Sequence, residues 1–336
     1  MITRRGFGIF GLALLFALPA CDQGGGGGGA DKPKGKLKIA VIPKGTTHEF
    51  WKSVHAGAVK ASRELDVEIV WKGPLKEDDL KAQIDVVQSF TAQGVSGIVL
   101  APLSDKALGA SVKGAVSAGI PVAIFDSDLA GQDHISFIAT DNVAAGRLAG
   151  DHMAKLLNGT GNVVVLRYQE GSASTANRER GFLEAIQKHP GIKIVSENQY
   201  GGATTESAFA TSENLLSAQK AEGGSVSGVF CPNESTTFGM LLALQKAGIA
   251  GKIKFIGFDS SSKLVEGLRQ KHIDALVLQN PFNIGYMAVK TMARKLRGEA
   301  VEARIDTGAK LVTGENMGEP DIKELLEPDL KKWLGE

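Results

Sequence analysis

The sequence predicts an α/β protein built as two doubly wound parallel-sheet lobes, and three observations carry that expectation. Short apolar, strand-like runs alternate with amphipathic, helix-like segments from Lys36 to Leu296 with few interruptions. Such alternation is the pattern of βα units whose sheets are covered on both faces. The strand-like runs, among them Ile39-Ala40-Val41-Ile42 and Gly97-Ile98-Val99-Leu100-Ala101, are near-continuously apolar, as strands buried on both faces must be. After Ala139 the series starts again, so that a chain of 336 residues holds two successive βα series. A (β/α)8 barrel is the competing topology for a similar element count.

Taken in order, strand Leu37 to Ile42 leads to a helix from Glu49 to Leu65, with Phe50, Val54, Ala58, Ala61 and Leu65 on one face. Val67 to Trp71 is a second strand, followed by a helix from Glu77 to Thr91. The third strand, Gly97 to Ala101, stops at Pro102, and Ser104 and Asp105 can cap a helix running to Ala118. Pro121 to Asp126 and Ile135 to Ala139 complete the first series. The second has strands at Asn162–Tyr168, Ile192–Ser196, Gly228–Phe230, Ile253–Phe258 and Ile273–Gln279. Its helices run over Val143–Leu157, Thr175–Lys188, Ser207–Ala218, Thr236–Ala247, Leu264–Gln270 and Pro281–Leu296. Asp321 to Trp333 reads as a terminal helix.

Composition excludes several classes. With 43% apolar and 22% charged residues and a formal net charge of +1, nothing suggests nucleic acid as a partner. The six histidines never fall at metal-ligand spacing beside cysteine or carboxylates, so neither a metal nor a cofactor is expected. Of the two cysteines, Cys231 in Val229-Phe230-Cys231-Pro232 reads as a small buried hydrophobe.

The first residues are of another kind. Arg4 and Arg5 precede an apolar segment from Phe7 to Leu18, too short to span a membrane and of the length of a secretory signal. Leu18-Pro19-Ala20-Cys21 resembles a bacterial lipobox, which implies a signal peptide over 1–20 and diacylation of Cys21. Thr3-Arg4-Arg5-Gly6-Phe7 also resembles a twin-arginine export signal, the alternative being an ordinary basic segment. The glycine run Gly24 to Gly29 makes residues 21–36 a flexible tether, and Asp22 resembles an inner-membrane retention signal.

The polar residues at the strand ends carry the functional reading. In an open α/β sheet, ligands bind at the carboxyl ends of the strands, where this chain places Lys44-Gly45-Thr46-Thr47-His48-Glu49-Phe50-Trp51. Phe50 and Trp51 there suit a stacking wall for a small polar ring. Further strand ends carry Ala101-Pro102, Phe125-Asp126-Ser127-Asp128, Cys231-Pro232-Asn233-Glu234, Gly257-Phe258-Asp259 and Leu278-Gln279. Together with Ala139-Thr140-Asp141-Asn142, Gly146 and Asn177-Arg178-Glu179-Arg180-Gly181-Phe182, this order resembles the type I periplasmic sugar-binding proteins of ABC importers, nearest the ribose-binding branch.

That resemblance implies a periplasmic binding protein type I fold with a three-segment hinge, near Thr140-Asp141, Gln279-Asn280 and Gly308-Ala309. The first lobe would be 37–140 plus 280–308, and the second 141–279 plus 309–336. It implies that Phe50 and Trp51 sandwich a sugar ring, that Asp126 and Asp259 accept from hydroxyls, and that Arg180, with Arg178 as second choice, donates to sugar oxygens. Asn233 and Gln279 would donate and accept at once. Lys44, His48 and Ser127 differ from or vary the ribose pattern, which leaves pentoses, hexoses and sugar alcohols open. The implied protein is a monomer that performs no chemistry. It takes a sugar or polyol in the inter-lobe cleft and hands it to an inner-membrane ABC permease, while lipid-anchored on the periplasmic side. Sensing for a kinase or chemoreceptor is the alternative use of the same fold. An oxidoreductase is disfavoured because no Gly-x-Gly-x-x-Gly follows a strand.

Overall fold

The computed structural model describes residues 35–131 and 133–335, and Gly35–Glu336 form one compact unit. The expected signal peptide, Cys21 and nearly all of the expected tether lie outside the described residues. The first βα series runs β1 (Lys38–Ile42), α1 (Glu49–Glu64), β2 (Glu68–Trp71), α2 (Leu80–Ala92), β3 (Gly97–Leu100), α3 (Gly109–Ser117), β4 (Val122–Phe125) and β5 (Phe137–Ala139). The second runs α4 (Asn142–Leu156), β6 (Gly161–Arg167), α5 (Ala173–Ile186), β7 (Ile192–Tyr200), α6 (Thr205–Ala218), β8 (Gly228–Phe230), α7 (Glu234–Lys246), β9 (Lys254–Phe258), α8 (Ser262–Arg269) and β10 (Ala275–Leu278). The chain ends with α9 (Pro281–Leu296), β11 (Arg304–Asp306), β12 (Lys310–Thr313), α10 (Pro320–Leu326) and α11 (Leu330–Leu334).

Two six-stranded sheets result, in the orders β11-β5-β4-β3-β1-β2 and β12-β10-β9-β8-β6-β7. The two orders correspond strand for strand, and every pairing is parallel except that of β10 with β12. Each sheet has apolar clusters on both faces, which accounts for the continuous apolar runs in the central strands. The chain passes between sheets at 140–141, 279–280 and 307–309. There Thr140 Oγ1 donates to the Gly308 carbonyl at 3.2 Å, and the Asp141 N–H donates to Asp306 at 3.0 Å.

Helix pairs in the two lobes cross at glycines. A Cβ on Gly57 of α1 would lie 1.9 Å from the Phe282 carbonyl oxygen of α9, and one on Gly285 would lie 2.0 Å from that of Val54. In the second lobe, a Cβ on Gly146 of α4 would lie 2.0 Å from the Arg178 carbonyl oxygen, and one on Gly181 of α5 would lie 2.1 Å from that of Val143. Backbone meets backbone at both crossings, and only glycine permits that approach.

Four local expectations need correction. The helix expected from Glu77 starts at Leu80, with Asp79 accepting the Ala82 N–H as its cap, and Glu77 stays in the preceding loop. The helix expected after Ser104 starts at Gly109, although Ser104 Oγ does accept the Ala107 N–H at 3.1 Å. Strands β11 and β12 were not anticipated, because the Arg304-Ile305-Asp306 and Lys310-Leu311-Val312-Thr313 edges lack a continuous apolar run. The terminal helix breaks at Pro328, which pushes Glu327 out of helical geometry (φ −133°, ψ 65°). After the break α11 docks on the first lobe. Arg63 of α1 donates to the Trp333 carbonyl at 3.1 Å and its guanidinium lies 5.6 Å from the Trp333 ring. The assignment of all of 309–336 to the second lobe therefore fails for these last residues, while Ile322 and Leu326 of α10 do pack in the second core.

Candidate functional site

The carboxyl ends of both sheets face one cleft between the lobes. Asp126 follows β4 and Asp259 follows β9, the corresponding strands of the two sheets. Both adopt left-handed backbone, with φ of 61° and 67°, a conformation that Asp tolerates better than most residues. Each N–H still completes its sheet, Asp126 to the Ile138 carbonyl and Asp259 to that of Val277, both at 2.9 Å. The matched turns bring both carboxylates to the cleft lining.

The first lobe supplies the loop from β1 into α1. Lys44 Nζ lies 3.4 Å from Asp126 Oδ2 and donates across the cleft to Ser174 Oγ at 3.0 Å. Phe50 and Trp51 meet edge to face, ring centroids 4.9 Å apart, and Trp51 meets Phe125 the same way at 6.2 Å. Both aromatics belong to the first core and also border the cleft. Trp51, which lies off the apolar stripe of α1, donates its Nε1–H to Glu77 Oε1 at 2.7 Å. The same oxygen takes His48 Nδ1 at 2.6 Å, and Glu77 Oε2 takes the Tyr168 hydroxyl from the second lobe at 2.7 Å.

The second lobe supplies Arg178, only 2% exposed. Its Nε donates to Asn142 Oδ1 at 2.8 Å and its Nη1 to the Pro232 carbonyl at 2.9 Å. Nη1 also stands 3.8 Å from Asp259 Oδ2, and the guanidinium lies 4.1 Å from the Phe258 ring centroid. The preference for Arg180 is corrected: its side chain is 60% exposed and pairs with Glu184 along α5 at 3.7 Å. Two residues turn roughly 200° around a helix, so only one of these arginines can face the cleft.

Asn233 caps α7, its Oδ1 accepting the Thr236 N–H at 3.3 Å, and it borders the cleft as well. Gln279 Nε2 donates to Asp259 Oδ1 at 2.7 Å, while its buried Oε1 has no hydrogen-bond partner among the described residues. Asp259 does not cap the helix that follows it, a task left to Ser261; its Oδ2 accepts the Glu234 N–H of α7 at 3.2 Å. Ser127 is buried beside the cleft without bordering it, its Oγ accepting the Ser174 N–H at 3.2 Å. The structure thus gathers Lys44, His48, Phe50, Trp51, Asp126, Arg178, Asn233, Asp259 and Gln279 at one cleft.

Glu77, Tyr168, Ser174, Thr175 and Glu234 also line it and escaped the sequence reading. Glu77 stands in the charged run Lys76-Glu77-Asp78-Asp79, which reads as the solvated start of a helix, and Tyr168 sits at the end of an apolar strand. Only Glu234, next to Asn233 at a strand end, carried a positional signal.

Charge is unevenly settled among these groups. Burial would lower the His48 imidazole, but the Glu77 carboxylate outweighs it and holds the pKa at about 9. Burial would likewise raise Glu77, yet His48 and then Lys44 hold it at about 2. Burial pushes Glu234 up to about 7. Asp259 is raised by burial against the opposing pull of Arg178.

The periplasmic binding protein domain model matches residues 39–300. The chain belongs to the periplasmic binding protein family. It is 30% identical over 281 residues to the ribose import binding protein of Salmonella typhimurium, covering 82% of this chain and 90% of that one. It is 27% identical over 268 residues to a xylitol-binding protein of Mycolicibacterium smegmatis, covering 80% and 73%. Among solved structures it is similar to a carbohydrate transporter solute-binding protein of Agrobacterium radiobacter in complex with D-arabinose. That match has a TM-score of 0.83 and 33% identity, over 88% of this chain and 100% of that one. An ABC transporter solute-binding protein of Agrobacterium vitis with bound D-fucose matches with a TM-score of 0.82 and 34% identity, over 86% and 100%. In this periplasmic binding protein, α10 and α11 lie beyond the matched domain. No helix among the described residues is long and apolar enough to cross a membrane.

Proposed function

We propose that this periplasmic binding protein captures one neutral monosaccharide or polyol in its inter-lobe cleft and delivers it to an ABC importer, performing no chemistry. The observation that carries this reading is the pairing of charge. Lys44 stands against Asp126, His48 against Glu77 and Arg178 against Asp259, at 3.4, 2.6 and 3.8 Å. Each cation of the cleft already faces a carboxylate, and Glu234 adds a fourth acid, so an anionic sugar such as a phosphate or uronate finds no uncompensated cation. What the cleft offers is aromatic surface from Phe50 and Trp51 and charge-assisted donors and acceptors, the groups that hydroxyls and C–H faces require. The sugar-bound relatives support the same class.

The chain acts as a monomer on the periplasmic side of the inner membrane, held there by lipid on Cys21 after removal of residues 1–20. A thermal-shift screen against D-ribose, D-arabinose, D-allose, D-fucose and xylitol tests the binding reading. Ligand a thousandfold above Kd should add about 4 kcal/mol of stability, whereas no shift with any of them contradicts it. Metabolic labelling with a palmitate analogue tests the anchor: label is expected on the wild type and none on Cys21→Ala, and label persisting in that variant overturns it.

A further inference from the structure

We propose that Glu77 is a positioning residue for ligand recognition: its carboxylate holds His48 as a charged donor and Trp51 as a fixed wall, and couples both to lobe closure through Tyr168. Three observations support this. One oxygen of Glu77 takes both His48 Nδ1 and Trp51 Nε1–H, at 2.6 and 2.7 Å, and a contact that short fits a charge-assisted bond. With Nδ1 so engaged, Nε2 is the only imidazole nitrogen left for a ligand, and on a charged ring it can donate but not accept. The other oxygen takes the Tyr168 hydroxyl at 2.7 Å, and Gln169 Nε2 donates to the Glu77 backbone carbonyl at 3.0 Å. Both of these partners stand on the opposite lobe.

The groups that face His48 agree with a charged ring. Glu77 comes from the loop before α2, Glu234 from α7 and Asp259 from the end of β9, all of them acids, with Glu206 of α6 farther out. Lys44 bears on Glu77 from the β1 end and reinforces its ionised form. The ligand class follows from the reading proposed above, on which this inference rests: a neutral sugar that places an acceptor oxygen, ring or hydroxyl, against His48. A ligand group that can only donate is refused at that position.

His48, Trp51 and Glu77 all belong to the first lobe, so their arrangement can be tested without a ligand. Imidazole nitrogen shifts of the full chain are expected to show His48 charged at pH 7.5 in the wild type and neutral in Glu77→Gln. Calorimetric affinity for the tightest sugar of the panel is expected to level off near pH 8, once Glu234 has ionised, and to fall again above about 9, where His48 loses its proton. Glu77→Gln should move that fall to the acid side of pH 7 and weaken binding at pH 7.5 about tenfold or more. Tyr168→Phe should weaken binding without moving the profile, and His48→Asn should abolish the fall above pH 9. A melting curve of each variant separates these effects from misfolding. His48 neutral at pH 7.5 in the wild type, or an unchanged charge and pH profile in folded Glu77→Gln, overturns the proposal. If no sugar binds, the proposed function fails while the imidazole shifts still decide the role of Glu77.

Discussion

At Arg178 the guanidinium is held by a side-chain amide, a backbone carbonyl, an aromatic face and a carboxylate at once. Arg178→Ala leaves Asp259 buried without its cation, and a loss of about 2–5 kcal/mol in sugar affinity is expected by calorimetry. Arg180→Ala, on the exposed face of α5, should leave affinity unchanged. The sequence singled out both arginines and could not choose between them, since the rotation of α5 is set by the Gly146–Gly181 crossing with α4. Glu77 was illegible for another reason: its neighbours are charged, and its burial depends on residues 91 and 92 positions away in the other lobe. The His48–Glu77 pair also fixes a pH window. Raised from 6.5 to about 9, His48 contributes stability that is complete below 6.5 and lost as pH rises through 9. Lowered from 4.5 to about 2, Glu77 contributes stability that is complete above 4.5 and lost as pH falls through 2. Between pH 4.5 and 6.5 both contributions are whole, and the excess melting temperature of wild type over Glu77→Gln should peak there. Scanning calorimetry at pH 3, 5.5 and 9.5 checks this.

The βα elements were legible because each central strand is an unbroken apolar run, and the polar residues that end those runs mark the cleft. What escaped were elements made by context: the edge strands β11 and β12, and the division of the terminal helix at Pro328. The glycine crossings carry an expectation at this scale. A Cβ at Gly146 would stand 2.0 Å from the Arg178 carbonyl oxygen, so Gly146→Ala must push α4 from α5. A stability loss of about 1–3 kcal/mol is expected, with weaker sugar binding because Arg178 moves. Gly114→Ala in α3, where a Cβ meets nothing within 4 Å, should be neutral or stabilise by about 0.5–1 kcal/mol. Chemical denaturation of the two variants compares them directly. The last elements link the lobes a further time, α10 packing in the second core and Trp333 of α11 lying against Arg63 and Phe282 of the first. Ending the chain at Glu327 should quicken sugar dissociation in stopped-flow measurements while leaving the far-UV spectrum nearly unchanged.

Across the whole molecule, the closed arrangement is held by helix ends that exchange acids. Glu49, first residue of α1, accepts from the Ser262 N–H and hydroxyl at the start of α8, at 3.0 and 2.9 Å. Glu234, first residue of α7, accepts from the Glu49 and Phe50 N–H groups at the start of α1, at 3.3 and 3.1 Å. A carboxylate at a helix N-terminus is favoured by the unpaired N–H groups and the dipole, and here each lobe supplies one to the other. Burial raises Glu234 from 4.5 to about 7 in this closed form. Closing near pH 6 should therefore take up a proton, and titrations in two buffers of different ionisation heat read the number directly. The most direct test of sugar capture is calorimetric titration of the panel's tightest sugar into the wild type and into Arg178→Ala. One sugar per chain, with affinity lost in the variant, is the expected result. Absence of heat and of thermal shift with every neutral sugar, or equal affinity in the two proteins, contradicts it.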